Sequence, residues 1–148
     1  MRPAQAAVHE RCIAAGLAIL CLVPLVLAAI VHPSHDGVAT HTQLHMQPCQ
    51  FLERTGIPCP GCGMTTSWAW FVRGNLLAAI YVQPMGTLLA FLAMATVWIG
   101  GYVAVTGRPV YRLLNRFDGR YYFIGLLSFG IAAWGWKILI HQLGHDGW

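Results

Sequence analysis

Charge is what this chain has least of: only 9% of its 148 residues are Asp, Glu, Lys or Arg, against about 25% in an ordinary soluble domain. A water-soluble globule needs a charged exterior, so that class is excluded. The nine basic and five acidic residues are scattered through a chain that is 57% hydrophobic. They do not form the clustered basic face that nucleic-acid binding requires. Also missing are a glycine-rich phosphate loop and a Ser-His-Asp nucleophile elbow, and Asp36, Glu53, Asp118 and Asp146 form no carboxylate pair in the sequence. What remains is a small all-α integral membrane protein.

Uncharged runs place the membrane segments. Residues 13–31 form the first, long enough at about 1.5 Å per residue to approach the roughly 30 Å hydrocarbon layer. Pro24 is expected to kink it. The run is too long for a signal-peptide core and ends without a small-x-small cleavage site, so it reads as an uncleaved anchor after a cytoplasmic segment, 1–12. Residues 85–105 and 121–140 supply the second and third spans. Trp98 and Tyr102 anchor the second, and Lys137 is close enough to the end of the third to extend its ammonium to the interface.

The stretch 64–84 is apolar but carries Arg73, Gly74 and Asn75 at its centre. An arginine at the bilayer midplane costs about 2.5–3.5 kcal/mol, so we expect two short interfacial or re-entrant helices. Thr65, Thr66 or Ser67 would cap the first, and Gly74 would break the pair. The rival reading is a fourth span ending at Gln83-Pro84. With three spans, Arg2 and Arg11 share a side with the connector 106–120, which holds Arg108, Arg112, Arg116 and Arg120. The positive-inside rule then puts the N-terminus in the cytoplasm of a bacterial inner membrane and the loop 32–63 outside. A fourth span would leave that loop in the reducing compartment. The four connector arginines, spaced by four, are candidates for lipid-headgroup contact on one helical face. The tail is 141–148.

Of the five cysteines, Cys12 and Cys21 lie in the first span and are assigned no chemistry. The other three lie in the loop: Cys49, then Cys59-Pro60-Gly61-Cys62-Gly63. Proline fixes φ and glycine permits positive φ, so this run builds a rigid turn with both thiols on one side. Three chemistries suit it. A metal knuckle would use Cys59 and Cys62 with Cys49 and His45, or His41, on zinc or another transition metal; one such knuckle resembles half of a rubredoxin or zinc-ribbon site. A redox dithiol would use Cys59 as nucleophile, with Cys62 or Cys49 resolving. A plain disulfide would staple a loop facing an oxidising compartment.

The run Cys49-Gln50-Phe51, then Thr55-Gly56-Ile57-Pro58-Cys59-Pro60-Gly61-Cys62-Gly63-Met64-Thr65, followed by Gly74, Ala78 and Gln83-Pro84, resembles a widespread family of small bacterial membrane proteins known only as a domain of unknown function. Its hallmark is CPGCG followed by Met or Leu and Thr. The resemblance covers about residues 49–105 and implies membrane residence and a cysteine-centred site, with no established activity. Where family members commonly have Arg after the Thr, this chain has Thr66.

Seven histidines are many for this length. His32/His35, His41/His45 and His141/His145 are spaced so that each pair could share a helical face. His32, His35, His41, His141 and His145 make a second candidate metal cluster for zinc or copper, and Met46 beside His45 would suit Cu(I). No charge lies in the middle of a confident span, so transport through this chain alone is not expected. The expected function is a non-enzymatic accessory or assembly subunit, in contact with lipid and with other membrane subunits or copies of itself. A membrane thiol-disulfide oxidoreductase and a copper- or zinc-handling protein are the alternatives.

Overall fold

The computed structural model describes residues 7–108, 119–146 and 148. Among these residues there is no strand, and three helices are long and apolar enough to cross a membrane: α1 (Val8–Ile30), α5 (Pro84–Thr106) and α6 (Gly119–Gln142). Three short helices lie between α1 and α5: α2 (Gln50–Thr55), α3 (Met64–Val72) and α4 (Leu76–Val82). Pro24 sits within α1 without ending it.

α1 and α5 form the main antiparallel pair, and small residues let them approach. A methyl group added at Gly100 would lie 2.7 Å from the carbonyl oxygen of Ala14 and 3.1 Å from Cβ of Ala18. With no hydrophobic drive between helices in lipid, such close packing and hydrogen bonds between helices carry the association. Arginines close both C-termini of this pair. Arg11 donates to the carbonyl oxygens of Ala104 at 2.9 and 2.7 Å and of Val105 at 3.3 Å. Arg73 donates to Ala28 and Ala29, each at 3.2 Å, and to Val31 at 2.7 Å. These carbonyls have no partner within their own helix, and the negative end of the macrodipole favours a cation there.

The stretch 64–84 is not one spanning helix. α3 has nine residues and α4 seven, and at about 1.5 Å per residue neither is half the hydrocarbon thickness of roughly 30 Å. The chain reverses at Arg73-Gly74, with Gly74 at φ +80°, a left-handed turn that only glycine adopts without strain. Asn75 caps α4 through its side-chain oxygen, which accepts from the Ala78 amide at 3.1 Å.

The expected cap of α3 is corrected. Its N-cap is Gly63, and no side chain caps it. Thr66 and Ser67 are buried and face inward. The Thr66 hydroxyl meets that of Thr40 at 2.7 Å. The Ser67 hydroxyl lies 3.0 Å from the Ala79 carbonyl, 3.2 Å from that of Gln83 and 2.9 Å from the Thr87 hydroxyl. One turn into the helix, these hydroxyls are too far along to reach its first amides: Thr66 ties α3 to the 3-10 turn Thr40–Leu44, and Ser67 ties it to α4 and α5.

Lys137 also departs from expectation. It is fully buried, with Nζ 3.0 Å from a carboxylate oxygen of Asp146 and 3.2 Å from the Gly37 carbonyl oxygen. The tail after α6 and the loop after α1 fold over the end of α6, so the ammonium meets protein rather than water. A buried charge persists when a counter-charge and hydrogen bonds replace its hydration. Of the basic connector, Arg112 and Arg116 lie outside the described residues, Arg108 follows the C-cap of α5, and Arg120 is in the first turn of α6.

Candidate functional site

Cys49 is the N-cap of α2, so its sulfur lies beside the free amides of that helix's first turn. α2 ends at Gly56, with φ +67°, and Ile57-Pro58 leads into the turn Cys59-Pro60-Gly61-Cys62. The turn is closed by the Cys62 amide donating to the Cys59 carbonyl at 3.0 Å and by the Met64 amide donating to that of Gly61 at 3.1 Å. The Cys59 amide points at the Cys62 sulfur at 3.3 Å, and the two Sγ atoms are 3.1 Å apart. The Cys49, Cys59 and Cys62 sulfurs all lie within 4.8 Å of one another.

Distant parts of the chain hold this turn. The Trp134 indole N–H donates to the Pro58 carbonyl at 2.9 Å, and the buried Gln83 amide donates to that of Pro60 at 2.9 Å. Gly63 has φ +84°, and a methyl group there would lie 2.8 Å from the Gly37 oxygen, 3.2 Å from Val82 Cγ1 and 3.4 Å from Lys137 Cε. Glycine is therefore required at this position twice over, by conformation and by space. Gln83, Trp134 and Lys137 carry no cysteine-like motif, and no local pattern marks them as supports. The polar residues in apolar stretches were the available signal.

Cys49 and Cys62 differ electrostatically. Cys49 is held below the usual thiol range, chiefly by the Leu52 amide at the start of α2, with the neighbouring sulfurs and the Phe51 amide adding to this against partial burial. Cys62 is pushed well above that range. Burial is the main cause, and the adjacent Cys59 and Cys49 sulfurs reinforce it. Cys49 therefore ionises more readily than Cys62.

Two apolar grooves flank the turn. One, of about 480 Å³, runs between α5 and α6; the other, of about 460 Å³, lies between α1 and α3. Gly61 and Met64 line both.

The histidines are not gathered with the thiols. Among the described residues the cluster contains Cys49, Cys59 and Cys62 and no imidazole or carboxylate. His45 caps the 3-10 turn Thr40–Leu44 in a left-handed conformation, and His41 Nε2 meets the Gln47 carbonyl at 3.1 Å. His35 contacts the Trp148 carbonyl at 3.3 Å, and His32 uses its backbone to bind Gln43. His141 pairs with Asp146, whereas His145 Nδ1 lies 2.7 Å from the Leu143 carbonyl. Cys12 and Cys21 lie on α1, away from the cluster, and Cys12 is exposed rather than buried.

Residues 49–98 match a family described as a protein of unknown function (DUF2752). The match begins at the first thiol of the triad and takes in the turn, α3, α4 and most of α5. No curated protein and no solved structure matches the chain.

Proposed function

We propose that this chain is a multi-pass protein of a bacterial inner membrane that binds a transition metal through Cys49, Cys59 and Cys62 and serves as an accessory or assembly subunit of a membrane complex. The observation that carries the reading is the convergence of three sulfurs from two separate segments within 4.8 Å. A loop stapled for stability alone needs two. Thiolates at this spacing suit a single soft or borderline ion with metal–sulfur bonds of about 2.3 Å, and the amides of α2 and of the turn supply the outer hydrogen bonds such sulfurs require. With Arg11 at one end of the α1–α5 pair and Arg73 at the other, Arg11 and Arg108 fall on one side. The positive-inside rule makes that side cytoplasmic. α3 and α4 then re-enter from the outer side, with the thiols facing outward.

Elemental analysis of the detergent-purified protein, paired with thiol counting before and after reduction, tests the proposal. About one equivalent of metal, lost in Cys59→Ser, is the expected result. Metal-free protein whose thiols appear only after reduction would overturn it.

That second outcome would favour thiol-disulfide exchange, a reading supported by the 3.1 Å separation of the Cys59 and Cys62 sulfurs and the ionisable Cys49 beside them. In that case Cys62→Ser should trap the mixed disulfide formed when the Cys59 thiolate attacks a substrate disulfide and expels one of its sulfurs as thiolate.

A further inference from the structure

We propose that the ion held by the triad is monovalent copper, and that Met46 and Met64 form its soft approach. This rests on the metal reading above and goes beyond it in naming the ion.

The donor set comes first. Every ligand atom in the cluster is sulfur, and among the described residues no imidazole or carboxylate joins it. Structural zinc closes its tetrahedron with four protein ligands. A soft d10 monovalent ion is complete with three thiolates, which hold zinc as well but suit this ion without a fourth ligand.

The methionines supply an independent observation. The chain has five, and three of them line the two grooves beside the turn: Met64 both, Met85 one, and Met46 the other, together with His41. A thioether is a neutral, soft donor that coordinates Cu(I) and has little affinity for Zn²⁺. Met46 is 57% exposed and Cys62 7%, and Gly61, which lies between the two thiols of the turn, lines both grooves, so the thioether-lined grooves meet at the thiol turn. Methionine also fills irregular apolar gaps. In that role leucine would replace it without consequence for metal binding, and this separates the two explanations.

The test uses the full chain in detergent, reduced and free of oxygen, first loaded with Zn²⁺ and then titrated with Cu(I) from a buffered chelate. Zinc release and retained copper are read together. The expected result is one equivalent of copper retained with zinc displaced. In addition, Met64→Leu should weaken Cu(I) retention at least fivefold, and Met46→Leu should slow its uptake, with zinc affinity unchanged within twofold. Zinc that resists displacement overturns the copper assignment and leaves the metal reading standing. Cu(I) binding that neither leucine variant alters overturns the methionine approach. A helical, intact protein that takes neither ion overturns the metal reading and the copper assignment with it.

Discussion

Arg73 closes the end of α1 by donating to the Val31 carbonyl oxygen at 2.7 Å, from 42 residues further along the chain. The same guanidinium holds the Ala69 carbonyl at 2.7 Å, so it ties α3 to α1. The thiol turn is at the other end of α3, beyond Gly63. Arg73 therefore sets the height of the candidate site relative to the spanning pair, although it touches no thiol. An arginine that looks expensive in an apolar stretch is placed where a helix terminus needs a cation.

Removing that tie should loosen the bundle measurably. Arg73→Gln is expected to lower stability by about 1 kcal/mol, the scale of a charge at a helix C-terminus, and the thermal midpoint in detergent by about 3 °C. Arg73→Lys should recover less than half, because a point charge cannot span four carbonyls as the planar fork does. Unchanged melting of both variants by circular dichroism would show that the contact is dispensable.

The two glycines that flank Cys62 should behave differently. Gly63→Ala places a methyl group 2.8 Å from the Gly37 oxygen at a φ of +84° and should destabilise by about 2 kcal/mol, with loss of metal. At Gly61 the nearest atom to an added methyl is the Cys59 sulfur at 3.9 Å, so Gly61→Ala should keep both fold and metal. Melting curves and metal content of the pair check this, and equal behaviour would contradict the packing described.

Alkylation of the metal-free protein should separate the thiols. Cys49 lies below the usual thiol range, so at any pH under that range it holds more thiolate than free cysteine. Its rate should therefore reach a plateau at lower pH than a free thiol. Cys62 lies above the range and is 7% exposed, so its rate should stay low through pH 9. At pH 7.5 peptide mapping with iodoacetamide should find Cys49 modified at least tenfold faster than Cys62. The reverse order would invalidate the electrostatic description of the turn.

Much of this architecture is legible in the chain. The uncharged runs mark the spans, and Gly74 marks the break between α3 and α4 because nothing else in that stretch permits a reversal. The spacing of Cys59 and Cys62 marks the turn. What is not legible is remote pairing. Nothing local to Arg73 points to Val31, and nothing near Thr66 points to Thr40. Lys137 reads as an interfacial residue because its covering, the Asp146 carboxylate and the Gly37 carbonyl, comes from a tail and a loop with no periodicity of their own. Histidine spacing likewise assumes a helix, whereas His41 and His45 lie on a short 3-10 turn and His32 and His35 in an irregular loop.

The Lys137–Asp146 pair gives the most demanding test of the fold around the site. The Lys137 side chain is 0% exposed and the Asp146 side chain 16%, and the lysine stem packs against the backbone of Gly63. Lys137→Met leaves the Asp146 carboxylate with His141 as a partner, whereas Asp146→Asn strands a fully buried ammonium, so Asp146→Asn should destabilise by about 3 kcal/mol or more. Lys137→Met combined with Asp146→Asn removes both charges and should recover at least half of that loss, since a neutral pair carries no uncompensated desolvation. The decisive measurement is the coupling between the two substitutions in thermal unfolding. Additive effects would mean that the lysine is held by packing alone. Strong coupling would establish that the tail after α6 is fastened by charge over the element that positions the thiols, and metal affinity should then fall in the single variant and return in the double one.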